Sequence, residues 1–154
     1  MITCLLSSEL KRLNIGIAAL SEVWRPDSGE IMVVGYTVYW SGHSDGYHTQ
    51  GVSVAVPNKL IPMIIEVTPV NERIMRRRIH HSLGVVSLVS VYVPTGVSNL
   101  NMKDAFYATL ESGVYQCPRR DTLLVLGDFN ASTGTDRDGY ETGQSPWVWN
   151  CEPE

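Results

Sequence analysis

Apolar residues in this chain fall into short runs that are separated by polar and glycine-containing segments. Ser7 or Ser8 can cap a short helix, in which Leu10 and Leu13 share one face because they are three residues apart. The following run IGIAAL, residues 15–20, has no polar position, which is typical of a strand buried on both faces. The first part of the chain therefore predicts a helix followed by a buried strand.

The middle of the chain predicts several further strands. β-branched and aromatic residues dominate IMVVGYTVYW, residues 31–40, and a polar loop separates this run from GVSVAV, which begins at Gly51. Three similar runs follow, namely MIIEVTPV, ERIMRRRIHH and GVVSLVSVYV. Because turn residues at 69–71 and 82–84 separate these runs, we expect them to form an antiparallel meander.

The last third of the chain combines a helix with a strand. Ser98 or Asn99 can cap a helix over residues 101–116, which carries an apolar stripe and ends before Cys-Pro. The run TLLVL, residues 122–126, predicts a buried strand that is followed by a glycine and polar side chains. Strands and helices in this order indicate an α/β protein.

Composition and charge narrow the class of protein. The chain has 154 residues, 44% apolar and 18% charged, which is ordinary for one soluble domain with its own core. The formal charge of -4 gives no general positive field, so any contact with nucleic acid has to come from a local patch. No apolar run approaches the ~18 residues of a membrane span.

The cysteines and the amino terminus indicate a cellular compartment. Cys4, Cys117 and Cys151 are an odd number, and their spacing matches no zinc site or disulfide framework, so we expect three free thiols. The amino terminus lacks the basic region and the cleavage site of a signal peptide. We expect a nuclear or cytoplasmic protein that is not secreted.

Four polar residues follow three of the predicted strands at their carboxyl ends. Glu22 follows the first strand, Tyr92 ends VSVY, and Asp128 and Asn130 follow LLVLG. In layered α/β folds, side chains at that end of a sheet can converge on a ligand, and carboxylates suit a hard metal ion. A surface carboxylate, a strand aromatic and turn residues explain the same positions without function, and spacing alone leaves both interpretations open.

The segments that carry these residues resemble the motifs of one superfamily. IAALSEVWRP resembles the metal-carboxylate motif, VSVYVPT the catalytic-tyrosine motif and LLVLGDFNAS the Gly-Asp-Phe-Asn motif of the endonuclease/exonuclease/phosphatase superfamily. YTVYWSGHSDG resembles a loop of the same proteins. From about Ser8 to Tyr140, the chain resembles in particular the endonuclease domains of RTE-type non-LTR retrotransposons and the craniofacial-development-protein-like sequences derived from them.

This resemblance implies a fold, a cofactor and a role for each site residue. The implied fold is a four-layer α/β sandwich of mostly antiparallel sheets flanked by helices. Glu22 becomes a ligand of Mg²⁺ or Mn²⁺, and Tyr92 a contact to the phosphate or a general acid/base partner. Asp128 becomes the acid/base group near the attacking water, with Asn130 as its orienting hydrogen-bond partner. The implied activity is the nicking of target DNA, so DNA is the expected partner and a membrane is not.

The match is incomplete at both ends of the sequence. Family members carry an active-site Asn before the Glu-bearing strand and end with a Ser-Asp-His segment, and this sequence contains neither. We therefore expect a truncated domain over residues 8–142 with weak or no activity, and a disordered or frame-shifted tail over residues 143–154. One alternative is an inactive retroelement remnant that acts as an interaction or scaffold protein. Another is a phosphoinositide or sphingolipid substrate.

Two further clusters have a functional and a structural interpretation. The basic cluster comprises Arg73, Arg76, Arg77, Arg78, His80 and His81. We interpret it as a solvated edge strand protected by charge rather than as a contact to the DNA backbone. In the loop after Trp40, His43 and His48 flank Asp45, which we interpret as a polar loop rather than a metal site.

Overall fold

A computed structural model of the chain describes residues 2–46, 48–95 and 98–130. Two four-stranded sheets lie between two helices, in four layers. In chain order the elements are α1 (Ile2–Arg12), β1 (Ala18–Ser21), β2 (Ser28–Val33), β3 (Tyr36–Ser41), β4 (Val52–Pro57), a 3₁₀ helix (Asn58–Met63), β5 (Ile64–Asn71), β6 (Ile74–His81), β7 (Gly84–Tyr92), α2 (Leu100–Tyr115) and β8 (Thr122–Asp128). Neither described helix has the length and apolar character needed to cross a membrane.

The two sheets differ in how their strands are connected. The first has the order β1-β4-β3-β2, and every neighbouring pair is antiparallel. The second has the order β5-β6-β7-β8, in which β5, β6 and β7 form the expected antiparallel meander. Because α2 carries the chain back along the sheet, β8 pairs with β7 in parallel. The carboxyl ends of β7 and β8 therefore lie side by side.

Apolar side chains fill the three interfaces between these layers. The core between the sheets joins residues of both, namely Tyr39, Val52, Val54, Val56, Met75, Leu88 and Tyr92. A second core packs Phe106 of α2 against β6 and β7, and a third packs Leu10 of α1 against β3 and β4. The predicted α/β sandwich is confirmed in its layers and in its mostly antiparallel sheets.

Three elements differ from the prediction. The first strand begins at Ala18 rather than at Ile15, and it is half-buried rather than buried on both faces. Residues 31–40 are not one strand but parts of β2 and β3, which form a hairpin whose turn lies at Val34 and Gly35. The sequence pattern did not predict that turn, because apolar residues continue through it. The first helix begins at Ile2, so Ser7 lies inside it, buried, and does not cap it. Helix α2 is capped as predicted, because the Asn99 side chain accepts a hydrogen bond from the Met102 backbone N–H.

The interpretation of the basic cluster as an edge strand is wrong. Strand β6 lies between β5 and β7, and its arginines are used inside the fold. Arg76 donates a hydrogen bond to Gly113 O of α2, and Arg78 pairs with Asp121. Arg77 is 1% exposed and lies 3.8 Å above the Tyr39 ring. The predicted tail over residues 143–154 lies outside the described residues.

Candidate active site

Three of the four predicted site residues meet at the carboxyl ends of strands from both sheets. Glu22 directly follows β1, Tyr92 ends β7, and Asp128 ends β8 as the register partner of Tyr92. The Tyr92 hydroxyl donates a hydrogen bond to Glu22 Oε1 at 2.7 Å, across the gap between the sheets. The two sheets are thus joined at this point by a phenol and a carboxylate that are 70 residues apart in sequence.

Asn130 lies next to this group and forms a hydrogen bond with Asp128 through its backbone. Its backbone N–H, rather than its side chain, donates to Asp128 Oδ1 at 2.9 Å. The side-chain amide donates to Val93 O at 2.6 Å and so ties the loop to the end of β7. Asn130 has a φ of 44°, in the left-handed region that Asn tolerates better than most residues. Asn130 therefore fixes the position of the Asp128 carboxylate through a backbone turn.

Gly127 explains how Asp128 comes so close to the end of β7. Its φ is 147°, and a Cβ at this position would lie 1.9 Å from Val91 O. Only glycine fits both the conformation and the space. Gly127 is therefore needed for the approach of β8 to β7, independently of any chemistry of the Asp128 carboxylate.

The electrostatic surroundings keep Tyr92 in its protonated form. The hydrogen bond to Glu22 raises the pKa of the Tyr92 hydroxyl, and burial raises it further. The negative charges of Glu22 and Asp128 act in the same direction, whereas Arg73 lowers the pKa. Tyr92 is consequently a hydrogen-bond donor throughout the neutral pH range.

Arg73 belongs to the surroundings of the site, and sequence reasoning missed it. It lies in the turn between β5 and β6, where its Nη1 donates to Tyr92 O at 3.1 Å. Its guanidinium also lies 5.0 Å from the centre of the Tyr92 ring. Its sequence position next to the arginines of β6 indicates membership of the basic cluster, whereas the turn residues at 69–71 indicate a position between two strands, which is where the structure places it.

The backbone around Glu22 is held in an unusual conformation. Glu22 has a φ of 55°, which is uncommon for a residue with a long side chain. The next residue, Val23, donates from its backbone to Gly51 O at 3.3 Å. A Cβ on Gly51 would lie 2.8 Å from Val23 Cγ2, so this close contact needs glycine. Such strain persists where the surrounding structure imposes it, and it is frequent at functional sites.

An open cleft of about 580 Å³ leads to this group between the edges of β1 and β8. Its lining residues come from both strands: Ile17, Ala19, Ser21, Leu126, Gly127 and Asp128. The described residues contain no group of three or more His, Cys, Asp or Glu side chains arranged around one point. His43 does not line the cleft. Its Nδ1 lies 3.6 Å from Asp45 Oδ2, and its Nε2 lies 3.8 Å from Glu72 Oε1.

Comparison with curated proteins identifies two relatives. The chain is similar to craniofacial development protein 2 of Bos taurus and of Tragulus javanicus, with 26% identity to each over 136 residues. The match covers 88% of this chain but 23% and 24% of those proteins, so the chain spans about a quarter of the length of these relatives. No protein-family model matches the chain.

Comparison with solved structures identifies the fold. The catalytic domain of Xenopus laevis APE2 matches with a TM-score of 0.62 and 18% sequence identity, over 82% of this chain and 54% of that domain. Its layers and mostly antiparallel sheets correspond to those described above. The chain therefore has the fold of the endonuclease/exonuclease/phosphatase superfamily, as the resemblance of its motifs implied.

Proposed function

We propose that this chain is a metal-dependent phosphodiester hydrolase domain of retrotransposon origin, and that it nicks DNA weakly because the sequence lacks the active-site Asn and the Ser-Asp-His segment. The observation that carries the proposal is the hydrogen bond between Tyr92 and Glu22, formed across the two sheets with Asp128 on the neighbouring strand. An acid/base carboxylate, a protonated phenol and a second carboxylate are groups suited to phosphodiester hydrolysis. The superfamily fold and the three motifs support the same conclusion.

The donor set fits a hard divalent cation. Mg²⁺ prefers carboxylate oxygen and keeps several of its waters, so one or two carboxylates are enough to hold it. The Glu22 residue is exposed and its Oε1 accepts from Tyr92, while its Oε2 forms no hydrogen bond within the described part of the chain. We therefore assign Glu22 as the ligand of Mg²⁺ or Mn²⁺, which, once bound, would polarise a phosphoryl oxygen.

The remaining residues have complementary roles in this proposal. Asp128, whose carboxylate is oriented by the Asn130 backbone, accepts a proton from the attacking water. Tyr92 stays protonated, and its one O–H would turn from Glu22 Oε1 to a phosphate oxygen as negative charge develops there. Arg73 adds positive charge beside the Tyr92 ring. These roles need the strand-end geometry, because each group has to be fixed before the substrate arrives.

A plasmid-nicking assay tests the proposal. Purified chain with Mg²⁺ is expected to convert supercoiled plasmid to the nicked circle, and EDTA is expected to stop the reaction. Glu22→Gln should lower the rate by about 10²- to 10³-fold, because it removes the charge at the metal ligand. The matched control is Glu111→Gln, which changes an exposed carboxylate of α2 and should leave the rate unchanged. Intact plasmid with folded protein would contradict the proposal and favour the interaction or scaffold role.

A further inference from the structure

Trp24 is a large aromatic side chain that the fold exposes next to the candidate metal ligand. It is 58% exposed and lies two residues after Glu22, so their Cα atoms are at most about 7 Å apart. Its φ of 55° lies in the left-handed region, which is a true outlier for a bulky residue. An exposed indole on a strained backbone has two unfavourable features, and neither is compensated by packing.

The backbone of Trp24 is nevertheless held firmly. Its N–H donates to Gln50 O at 2.8 Å, and its carbonyl accepts from His48 Nδ1 at 2.9 Å. The neighbouring Val23 N–H is bound to Gly51 O. Because the N–H and the carbonyl of Trp24 are both hydrogen-bonded, the position of its Cα is fixed. The exposure of the indole is therefore imposed by the structure and does not result from a loose loop.

Trp40 shows that the same region of the fold can cover an indole. Its Nε1 donates to Pro26 O at 3.1 Å, and the Arg25 guanidinium lies 4.6 Å from its ring centre. Gly29 packs directly against the ring. Residues adjacent to Trp24 thus cover Trp40 on one side, while Trp24 itself, two residues after Glu22, remains 58% exposed.

We propose that Trp24 is a stacking platform for an unpaired base of the DNA strand whose phosphate lies at Glu22. This proposal rests on the proposed function and names its substrate class: DNA with a single-stranded or unpaired base beside the cleaved bond. An aromatic face stacks on any base without reading its identity. The net charge of -4 provides no general attraction to phosphates, so contacts that do not depend on charge gain importance.

Binding of labelled oligonucleotides, followed by fluorescence anisotropy with Ca²⁺ in place of Mg²⁺, tests this role. The probes are a duplex with one unpaired base and the same duplex with an abasic spacer at that position. Trp24→Ala should weaken binding of the first probe by roughly 5- to 150-fold, the effect of losing one stacked base. Trp24→Phe should retain most of the affinity. The abasic probe should bind parent chain and Trp24→Ala equally.

Controls separate this role from folding and from the proposed function itself. Leu83→Ala changes an exposed apolar residue in the turn between β6 and β7, at the far end of the sheet, and should not alter binding. Trp24→Gly relieves the backbone strain, so it should lose affinity without losing Tm. Equal binding of both probes by parent chain and Trp24→Ala, with nicking intact, overturns the Trp24 proposal alone. A folded parent chain that neither nicks nor binds DNA overturns both proposals.

Discussion

The two ends of strand β7 hold carboxylates in opposite ways. At its beginning, Asp121 accepts hydrogen bonds from Ser87 at 2.8 Å and from Arg78 Nε at 2.7 Å, and its side chain is completely covered. At its end, Tyr92 donates a single hydrogen bond to Glu22, and both Glu22 and Asp128 remain exposed. Residues of one strand, Ser87 and Tyr92, thus contact a carboxylate with its full set of partners at one end and a carboxylate that is open to solvent at the other.

This difference separates a structural carboxylate from candidate functional ones. The pKa of Asp121 is held below its ordinary value, first by the hydrogen bond from Arg78 and then by that from Ser87. Its charge is satisfied within the fold, so nothing is left for a ligand. At the other end, backbone strain at Glu22 and Asn130 accompanies oxygens that face solvent. Carboxylate oxygens without a full set of hydrogen-bond partners, together with backbone strain, distinguish the candidate active site.

The largest predicted effect on nicking and on Tm comes from changing one carboxylate near each end of β7. Asp128→Asn should lower plasmid nicking by about 10²- to 10⁴-fold with little change in Tm, because it removes the proposed general base. Asp121→Asn should lower Tm and leave the nicking rate of the remaining folded protein unchanged. Nicking rates with Mg²⁺, combined with melting curves followed by circular dichroism, provide the comparison. Equal nicking by the parent chain and Asp128→Asn would remove the distinction.

A smaller effect on nicking is predicted for removal of the hydroxyl groups that lie near the two ends of β7. Tyr92→Phe should lower nicking by roughly 10- to 100-fold, the effect of losing one hydrogen bond to a charged group. Ser87→Ala, which removes a hydrogen bond to Asp121, should leave nicking unchanged. If both variants nick at the rate of the parent chain, Tyr92 has a structural role only.

The pH dependence of stability should differ between the two ends. The lowered pKa of Asp121 contributes stability that is present above the unfolded value of 3.8 and is lost as pH falls below it. The raised pKa of Tyr92 contributes stability that is present below 10.0 and is lost as pH rises through the higher folded value. Melting temperature against pH should therefore show a shallower acid fall in Asp121→Asn and a shallower alkaline fall in Tyr92→Phe. Unchanged pH profiles would contradict both assignments.

The smallest effect is predicted for Arg77, the neighbour of Arg78 in β6. Burial lowers the pKa of Arg77 to about 10, and none of its side-chain nitrogens forms a hydrogen bond within the described residues. Arg77→Met should keep or raise Tm, because a buried charge without hydrogen-bond partners costs stability that an apolar side chain does not. Arg78→Met should lower Tm, since it removes the ionic partner of the covered Asp121 carboxylate and leaves only the hydrogen bond from Ser87. A fall in Tm for Arg77→Met would show that stacking on Tyr39 outweighs desolvation.

The sequence predicted where the strands lie along the chain better than it predicted which strands and side chains they contact. Patterns of apolar residues located the meander and β8. The burial predicted for β8 is wrong, because Leu123 and Leu124 are 40% and 44% exposed in the described structure. The patterns missed the turn at Val34 and Gly35, where apolar residues continue without a break. They also placed β6 at an edge, because three successive arginines are typical of a solvated strand. The partners that cover those arginines come from distant segments, such as Asp121 and Tyr39, which no local pattern contains.

The positions of Glu22, Tyr92 and Asp128 at strand ends were predictable from the sequence, and their contacts were not. Parallel packing of β7 and β8 brings Tyr92 and Asp128 side by side, and the facing of the two sheets adds Glu22. The hydrogen bond between Tyr92 and Glu22 depends on how two sheets face each other, and spacing along one chain does not determine this. Arg73 and the strained, exposed Trp24 were not recognised, because their positions depend on turns whose conformation the sequence leaves open.

The thermal melt of the chain in increasing Mg²⁺ tests the central claim most directly, because it measures ion binding at Glu22 without requiring a substrate. An ion that binds only the folded state raises Tm with its concentration. We predict that Tm of the parent chain rises with Mg²⁺ and that Glu22→Gln abolishes the rise, whereas Glu111→Gln retains it. A Tm that does not change with Mg²⁺ in the parent chain, or that rises equally in Glu22→Gln, would contradict a metal site at the carboxyl ends of β1, β7 and β8.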